Sequence, residues 1–127
     1  MADEQKKIII IEDEPDTVEM FAEMMRLSGY NVLKSYGGAL AISLIAEEKP
    51  DAVVLDMMMP DLSGLDVLKQ IRNNPDLAGL PVVIVSAMSM PHDIQAGLEA
   101  GASAYLTKPV TYQQLSQAVQ ETIQAAG

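Results

Sequence analysis

The 127-residue chain contains no cysteine, which excludes disulfides, thiolate catalysis and zinc–thiolate sites and leaves nothing to argue for an oxidising compartment. It has a single histidine, His92, which follows Pro91 in an expected helix first turn. With no second histidine to make a metal pair, it reads as a surface residue. Basic residues are scarce. Lys and Arg number 8 against 18 Asp and Glu, a formal charge of −10 at pH 7, and that balance repels nucleic acid and anionic membrane surfaces. Neither direct nucleic-acid binding nor membrane association is expected. Long apolar runs are missing too: Lys6 and Lys7 precede only the isoleucines 8–11 before Glu12, too short for a signal-peptide core and far from membrane-spanning length. The expectation is a soluble, cytoplasmic protein. There is no linker, repeat or low-complexity tract, and at 49% apolar residues the chain can build one domain, 1–127, with a real core.

The most informative stretch runs from Asp51 to Gly64. Ala52 to Leu55 is an apolar run between Pro50 and a Pro/Asp/Ser/Gly turn, the signature of a strand buried on both faces within a parallel sheet. Asp56 ends it. Ligands of open α/β sheets sit beyond the carboxyl ends of the strands, so a carboxylate there is placed for chemistry. The next helix signal begins near Ser63, too far on for Asp56 to act as its cap.

Other segments follow the same logic. Lys7 to Ile11 is a β-branched run that stops at Glu12-Asp13-Glu14-Pro15. Pro15 suits a first helical turn, Val18, Phe21, Ala22 and Met25 continue at helical spacing, and Gly29 stops the helix. Asn31 to Tyr36 reads as a strand, Leu40 to Glu48 as a helix with Ile42 and Ile45 inward, and Leu65, Leu68 and Ile71 mark a helix that breaks at Asn73-Asn74-Pro75. Leu80 to Ser86 is a further central strand. Pro91 to Ala100 is a weak helix whose only large apolar residues are Ile94 and Leu98, with Gly97 inside it. Ala104 to Thr107 is a short last strand, and Leu115, Ala118, Val119, Thr122 and Ile123 form a final helical face. Strand and helix alternate five times, which predicts a doubly wound five-stranded parallel sheet with helices on both faces. The flavodoxin-like strand order 2-1-3-4-5 places its switch point between the first and third strands.

That topology brings Glu12, Asp13 and Asp56 to one crevice. Three carboxylates cannot all ionise cheaply side by side. A hard cation resolves the conflict, and all-oxygen ligands without His or Cys suit Mg²⁺. Ser86 ends the fourth strand and Thr107-Lys108-Pro109 follows the fifth, adding a hydroxyl and an ammonium. A carboxylate surrounded by Mg²⁺, a lysine and a hydroxyl suits phosphoryl transfer onto that carboxylate, with Asp56 as nucleophile.

On these motifs the chain resembles the receiver domains of two-component response regulators, the family that includes the single-domain chemotaxis regulators. The segments that carry the resemblance are Ile8 to Pro15, Val53 to Gly64, Val83 to Ala87 and Gly101 to Pro109. It implies that Glu12, Asp13, Asp56 and the backbone carbonyl of Met58 hold Mg²⁺. It further implies that Asp56 accepts a phosphoryl group from a histidine kinase or histidine phosphotransfer protein, and that Ser86, Lys108 and the backbone N–H groups of Met58 and Ala87 bind its oxygens. Tyr105 matches the family's switch aromatic, and Lys108-Pro109 a peptide bond that is usually cis. Glu12 stands where many relatives carry Asp. A downstream protein target would read the face built by the fourth helix, fifth strand and fifth helix, with no substrate turnover beyond the domain's own phosphorylation and dephosphorylation. The last helix offers no Lys or Arg for a charged dimer contact, so a monomer or a weak phosphorylation-dependent dimer is expected, as a stand-alone regulator or a receiver within a longer protein.

Residue by residue, plainer readings stay open: Glu12 and Asp13 as favourable charges at a helix N-terminus, with Asp13 as its cap; Ser86 as a turn hydroxyl; Lys108 as a solvated lysine; Tyr105 as a static ring. The five methionines Met57, Met58, Met59, Met88 and Met90 read as adaptable packing. Two rival functions are a phosphorylation-independent interaction module of the same fold and a haloacid-dehalogenase-type phosphatase. The second would need a nucleophile at the end of the first strand with another Asp two residues on, and Glu12-Asp13-Glu14 lacks that pattern.

Overall fold

A computed structural model describes residues 5–127. Five parallel strands, β1 (Lys7–Ile11), β2 (Asn31–Ser35), β3 (Ala52–Leu55), β4 (Val82–Ser86) and β5 (Ala104–Thr107), alternate with five helices, α1 (Pro15–Leu27), α2 (Ala41–Glu48), α3 (Gly64–Asn73), α4 (Pro91–Glu99) and α5 (Tyr112–Ala126). The sheet order is β2-β1-β3-β4-β5, the doubly wound arrangement expected from the alternation. β1 is flanked by β2 and β3, with Ile11 opposite both Ser35 and Leu55.

The run of isoleucines shows why these strands carry no polar alternation. Ile9 and Ile11 face a cluster with Val53, Leu55, Ile84, Ala41, Ile45, Val67, Leu68 and Ile71, on the α2 and α3 side. Ile8 and Ile10 face a second cluster with Val54, Val83, Val85, Val18, Phe21, Met25, Leu115 and Val119, on the α1 and α5 side. A strand with period 2 and a helix layer on each face must be apolar at every position. Each such Ile or Leu stabilises the fold by about 1.5–3 kcal/mol through burial.

Differences from the sequence reading sit at element ends. β2 stops at Ser35 and Tyr36 is exposed, its hydroxyl donating to Glu19 at 2.9 Å. β4 begins at Val82 rather than Leu80, after Pro81, which has no N–H to give a ladder. In α4 Leu98 is exposed and the buried residue is Gly97, so this helix meets the sheet through its backbone rather than through a large side chain.

Candidate functional site

The strand ladder runs one residue past the apolar positions and thereby fixes the charged ones. Glu12 N–H donates to the Ser35 carbonyl at 3.1 Å, Asp56 N–H to Ile11 at 3.0 Å and Lys108 N–H to Ser86 at 2.9 Å. The loop after β3 folds back over this edge, with Gly64 N–H donating to the Met57 carbonyl at 3.0 Å. A Cβ at Gly64 would collide with the Asp56 carbonyl and lie 2.7 Å from Met57 Cα, so the close approach of α3 to the end of β3 requires glycine.

Three carboxylates meet there: one oxygen each from Glu12, Asp13 and Asp56 lies within 4.8 Å of the others. Glu12 and Asp56 are buried and Asp13 is half-buried. The Glu12 carboxylate is fully engaged. Its Oε1 accepts from Lys108 Nζ at 2.8 Å, and its Oε2 accepts from the N–H groups of Asp13 and Glu14, both at 3.0 Å. Lys108 Nζ also stands 3.8 Å from Asp56 Oδ1. Burial pushes the Asp56 carboxyl above its ordinary range and the neighbouring Glu12 charge adds to that, while Lys108 and the Met58 and Met57 N–H groups pull it back. Asp13 is raised for the same leading reason, burial, and the neighbouring Glu12 carboxylate adds to it. Raised carboxyls around a crevice of oxygen donors are the electrostatic condition that a hard divalent cation relieves. The donor set fits Mg²⁺, and Asp13 and Asp56 are the carboxylates whose oxygens are least committed.

Beyond Asp56, the fully buried Ser86 accepts at Oγ from Met88 N–H at 3.1 Å. The Tyr105 hydroxyl donates to the Met88 carbonyl at 2.6 Å. Burial raises the Tyr105 phenol, and the nearby Ser86 hydroxyl opposes that rise. Ala87 is exposed on the loop that leaves β4. The Lys108–Pro109 peptide bond is cis. Met57 and Met59 are core residues, whereas Met58 is 58% and Met90 57% exposed, so two of the five methionines around the site cannot be accounted for as packing. His92 lies on the surface beside Asp93.

The first helix is capped by Glu14, whose carboxylate accepts from Thr17 N–H at 2.7 Å. Asp13 is therefore no cap and is left free to face the crevice. Two structural residues escaped the sequence reading. Asp61, in the loop after β3, accepts from Gly38 N–H at 3.2 Å and Ala39 N–H at 2.9 Å, tying that loop to the one after β2. Arg72, at the end of α3, donates to the carbonyls of Gly101, Ala78 and Leu80. Neither leaves a local sequence signal, because the acceptors or donors are backbone groups of loops that the fold brings together. A groove of about 800 Å³ lined by Lys6, Lys49, Asp51, Asp76 and Leu77 lies at the opposite, amino-terminal edge of the sheet and shares no residue with the acidic crevice.

Residues 8–120 match the response regulator receiver domain family. The chain is 29% identical over 106 residues to the polar-differentiation response regulator DivK of Brucella ovis, covering 84% of this chain and 86% of that protein. It is 33% identical over 120 residues to a Vibrio cholerae protein named as a probable cyclic di-GMP phosphodiesterase, spanning 94% of this chain and 27% of that protein's length. Among solved structures, a response regulator receiver domain protein from Clostridium thermocellum superposes with a TM-score of 0.87 at 30% identity, covering 94% of this chain and 95% of that one. The receiver domain of the sensor histidine kinase PA1611 of Pseudomonas aeruginosa, solved with a magnesium ion coordinated in its active-site cleft, superposes at 0.88 with 26% identity, covering 95% and 99%. Sheet order, acidic crevice and sequence match together make this chain a member of the response regulator receiver domain family of two-component signalling.

Proposed function

We propose that the chain accepts a phosphoryl group on Asp56 in an Mg²⁺-dependent reaction. The observation that carries this reading is the convergence of Asp13, Asp56 and the Glu12–Lys108 ion pair at one sheet edge. An Asp56 carboxylate oxygen bonds to phosphorus as the bond from phosphorus to the donor, a histidine nitrogen, breaks. The donor imidazole leaves with the electron pair. Asp13, Asp56 and the Met58 carbonyl would hold Mg²⁺, with Glu12 supplying negative charge from behind because its oxygens already have partners. The bound ion supplies charge neutralisation for phosphoryl oxygens approaching a crevice of acids. Lys108, at 3.8 Å from Asp56, shares that task, and the Ser86 hydroxyl and the Met58 and Ala87 N–H groups are donors to the remaining oxygens.

The donor is a histidine kinase or histidine phosphotransfer protein. The output is a protein contact on the α4–β5–α5 face, made in the cytoplasm by a monomer or a weak phosphorylation-dependent dimer, with Tyr105 coupling the site to that face. DivK, of which the match covers 86%, supports reading 1–127 as a single receiver domain. The test is intact mass after incubation with acetyl phosphate, with and without Mg²⁺, on the wild type and Asp56→Asn. An Mg²⁺-dependent gain of one phosphoryl group, lost in the variant, is expected. No gain under any condition would turn the reading to a phosphorylation-independent interaction module.

A further inference from the structure

Glycine inside a helix is destabilising relative to alanine, so Gly97, in the middle of α4, calls for a reason. It is the buried residue of that helix. A Cβ built on it would stand 2.8 Å from Tyr105 Cδ2 and 2.9 Å from Cε2, closer than a Cβ comes to another carbon, and a tight 3.1 Å from Ile84 Cδ1. The α4 backbone therefore rests directly on the Tyr105 ring. From that ring a short path leads to the crevice: the Tyr105 hydroxyl donates to the Met88 carbonyl at 2.6 Å, and the Met88 N–H donates to Ser86 Oγ at 3.1 Å.

We infer that Gly97 is a positioning residue for the proposed phosphoryl transfer: by making room for the inward Tyr105 ring, it holds the Met88 loop that fixes the Ser86 hydroxyl before any phosphoryl group arrives. The inference rests on the reading of Asp56 as acceptor. Ser86 Oγ already accepts from Met88, so its own hydrogen is the part left to donate, and a hydroxyl fixed in advance lowers the ordering cost of the contact. An alanine at 97 drives the ring outward or α4 away from the sheet. Either movement breaks the Tyr105–Met88 bond and makes the competent arrangement a minor one, which weakens phosphoryl binding in proportion to its lost population.

The test compares the wild type, Gly97→Ala, Tyr105→Ala, Gly97→Ala/Tyr105→Ala and Tyr105→Phe. Two readouts are used: binding of beryllofluoride with Mg²⁺ as a phosphoryl mimic, and hydrogen exchange at the Met88 amide. Gly97→Ala should bind about five-fold more weakly and exchange faster at Met88. In the Tyr105→Ala background the same substitution should change neither. Tyr105→Phe, which leaves α4 untouched, should reproduce the faster exchange and weaker binding. Wild-type behaviour in Gly97→Ala, or an equal loss with and without Tyr105, overturns the inference. A wild type that binds no beryllofluoride, with Met88 exchange still responding to Gly97→Ala, overturns the acceptor reading and the purpose given to Gly97. Unchanged exchange overturns the latch itself.

Discussion

Replacing Lys108 by Met keeps an aliphatic stem of similar length and removes one ammonium. Glu12 Oε1 loses a partner at 2.8 Å and Asp56 a counter-charge at 3.8 Å. The Glu12 side chain is 2% exposed, so its charge would be left with only the Asp13 and Glu14 N–H groups. Breaking a fully buried pair costs about 3–5 kcal/mol. Here the two backbone donors stay, and the Lys108 side chain is 26% exposed and partly screened by water. The expected loss is about 2 kcal/mol, or about 1 M in the urea midpoint for a domain of this size. The assay is urea unfolding followed by far-ultraviolet circular dichroism in EDTA, with the slope fitted to confirm that the transition is unchanged. In a Glu12→Gln background only the longer contact with Asp56 is left to lose, and Lys108→Met should cost about 0.5–1 kcal/mol. Equal losses in the two backgrounds would refute the claim that Lys108 stabilises the fold through Glu12.

Asp61 is held below its ordinary value of 3.8 chiefly by the Ala39 and Gly38 N–H groups. Its contribution is therefore present above that value and lost as pH falls through the lower folded one. The stability difference between the wild type and Asp61→Asn should be flat near neutrality and shrink in acid, and a difference that persists at the acid end would contradict this. Gly64→Ala should destabilise by about 1–3 kcal/mol in urea unfolding, since the new methyl meets backbone rather than a movable side chain; stability equal to the wild type would show that the loop yields freely. Met58, exposed beside Asp56, should shield the acyl phosphate from water. Met58→Asn should accordingly shorten the phosphate lifetime several-fold in an intact-mass time course, and an unchanged lifetime would remove that role.

The sheet and its order were legible because parallel strands buried on both faces must be apolar throughout, and the runs at 8–11, 52–55 and 82–85 are. The acids were legible because Glu12 and Asp56 each fall immediately after such a run, with Asp13 next to Glu12. Glu14, not Asp13, caps α1, and Pro15 announced this: a proline at the first helical position makes the residue before it the cap. The weakness of α4 was read from its few large apolar residues, but its contact with the sheet is made by a residue with no side chain, and hydrophobic spacing cannot register Gly97. Asp61 and Arg72 bind backbone groups of other loops, a relation visible only once the chain is folded.

The sheet is also a partition. Ile9 and Ile10 are adjacent in sequence, yet one packs with Ile45 and Leu68 and the other with Phe21 and Leu115. Substitutions at sites with no shared neighbours add, whereas those in one cluster couple. The α1–α5 face can therefore accumulate sequence change without detuning the half of the core that Tyr105 and α4 share, and each side of the molecule is free to diversify at its own rate.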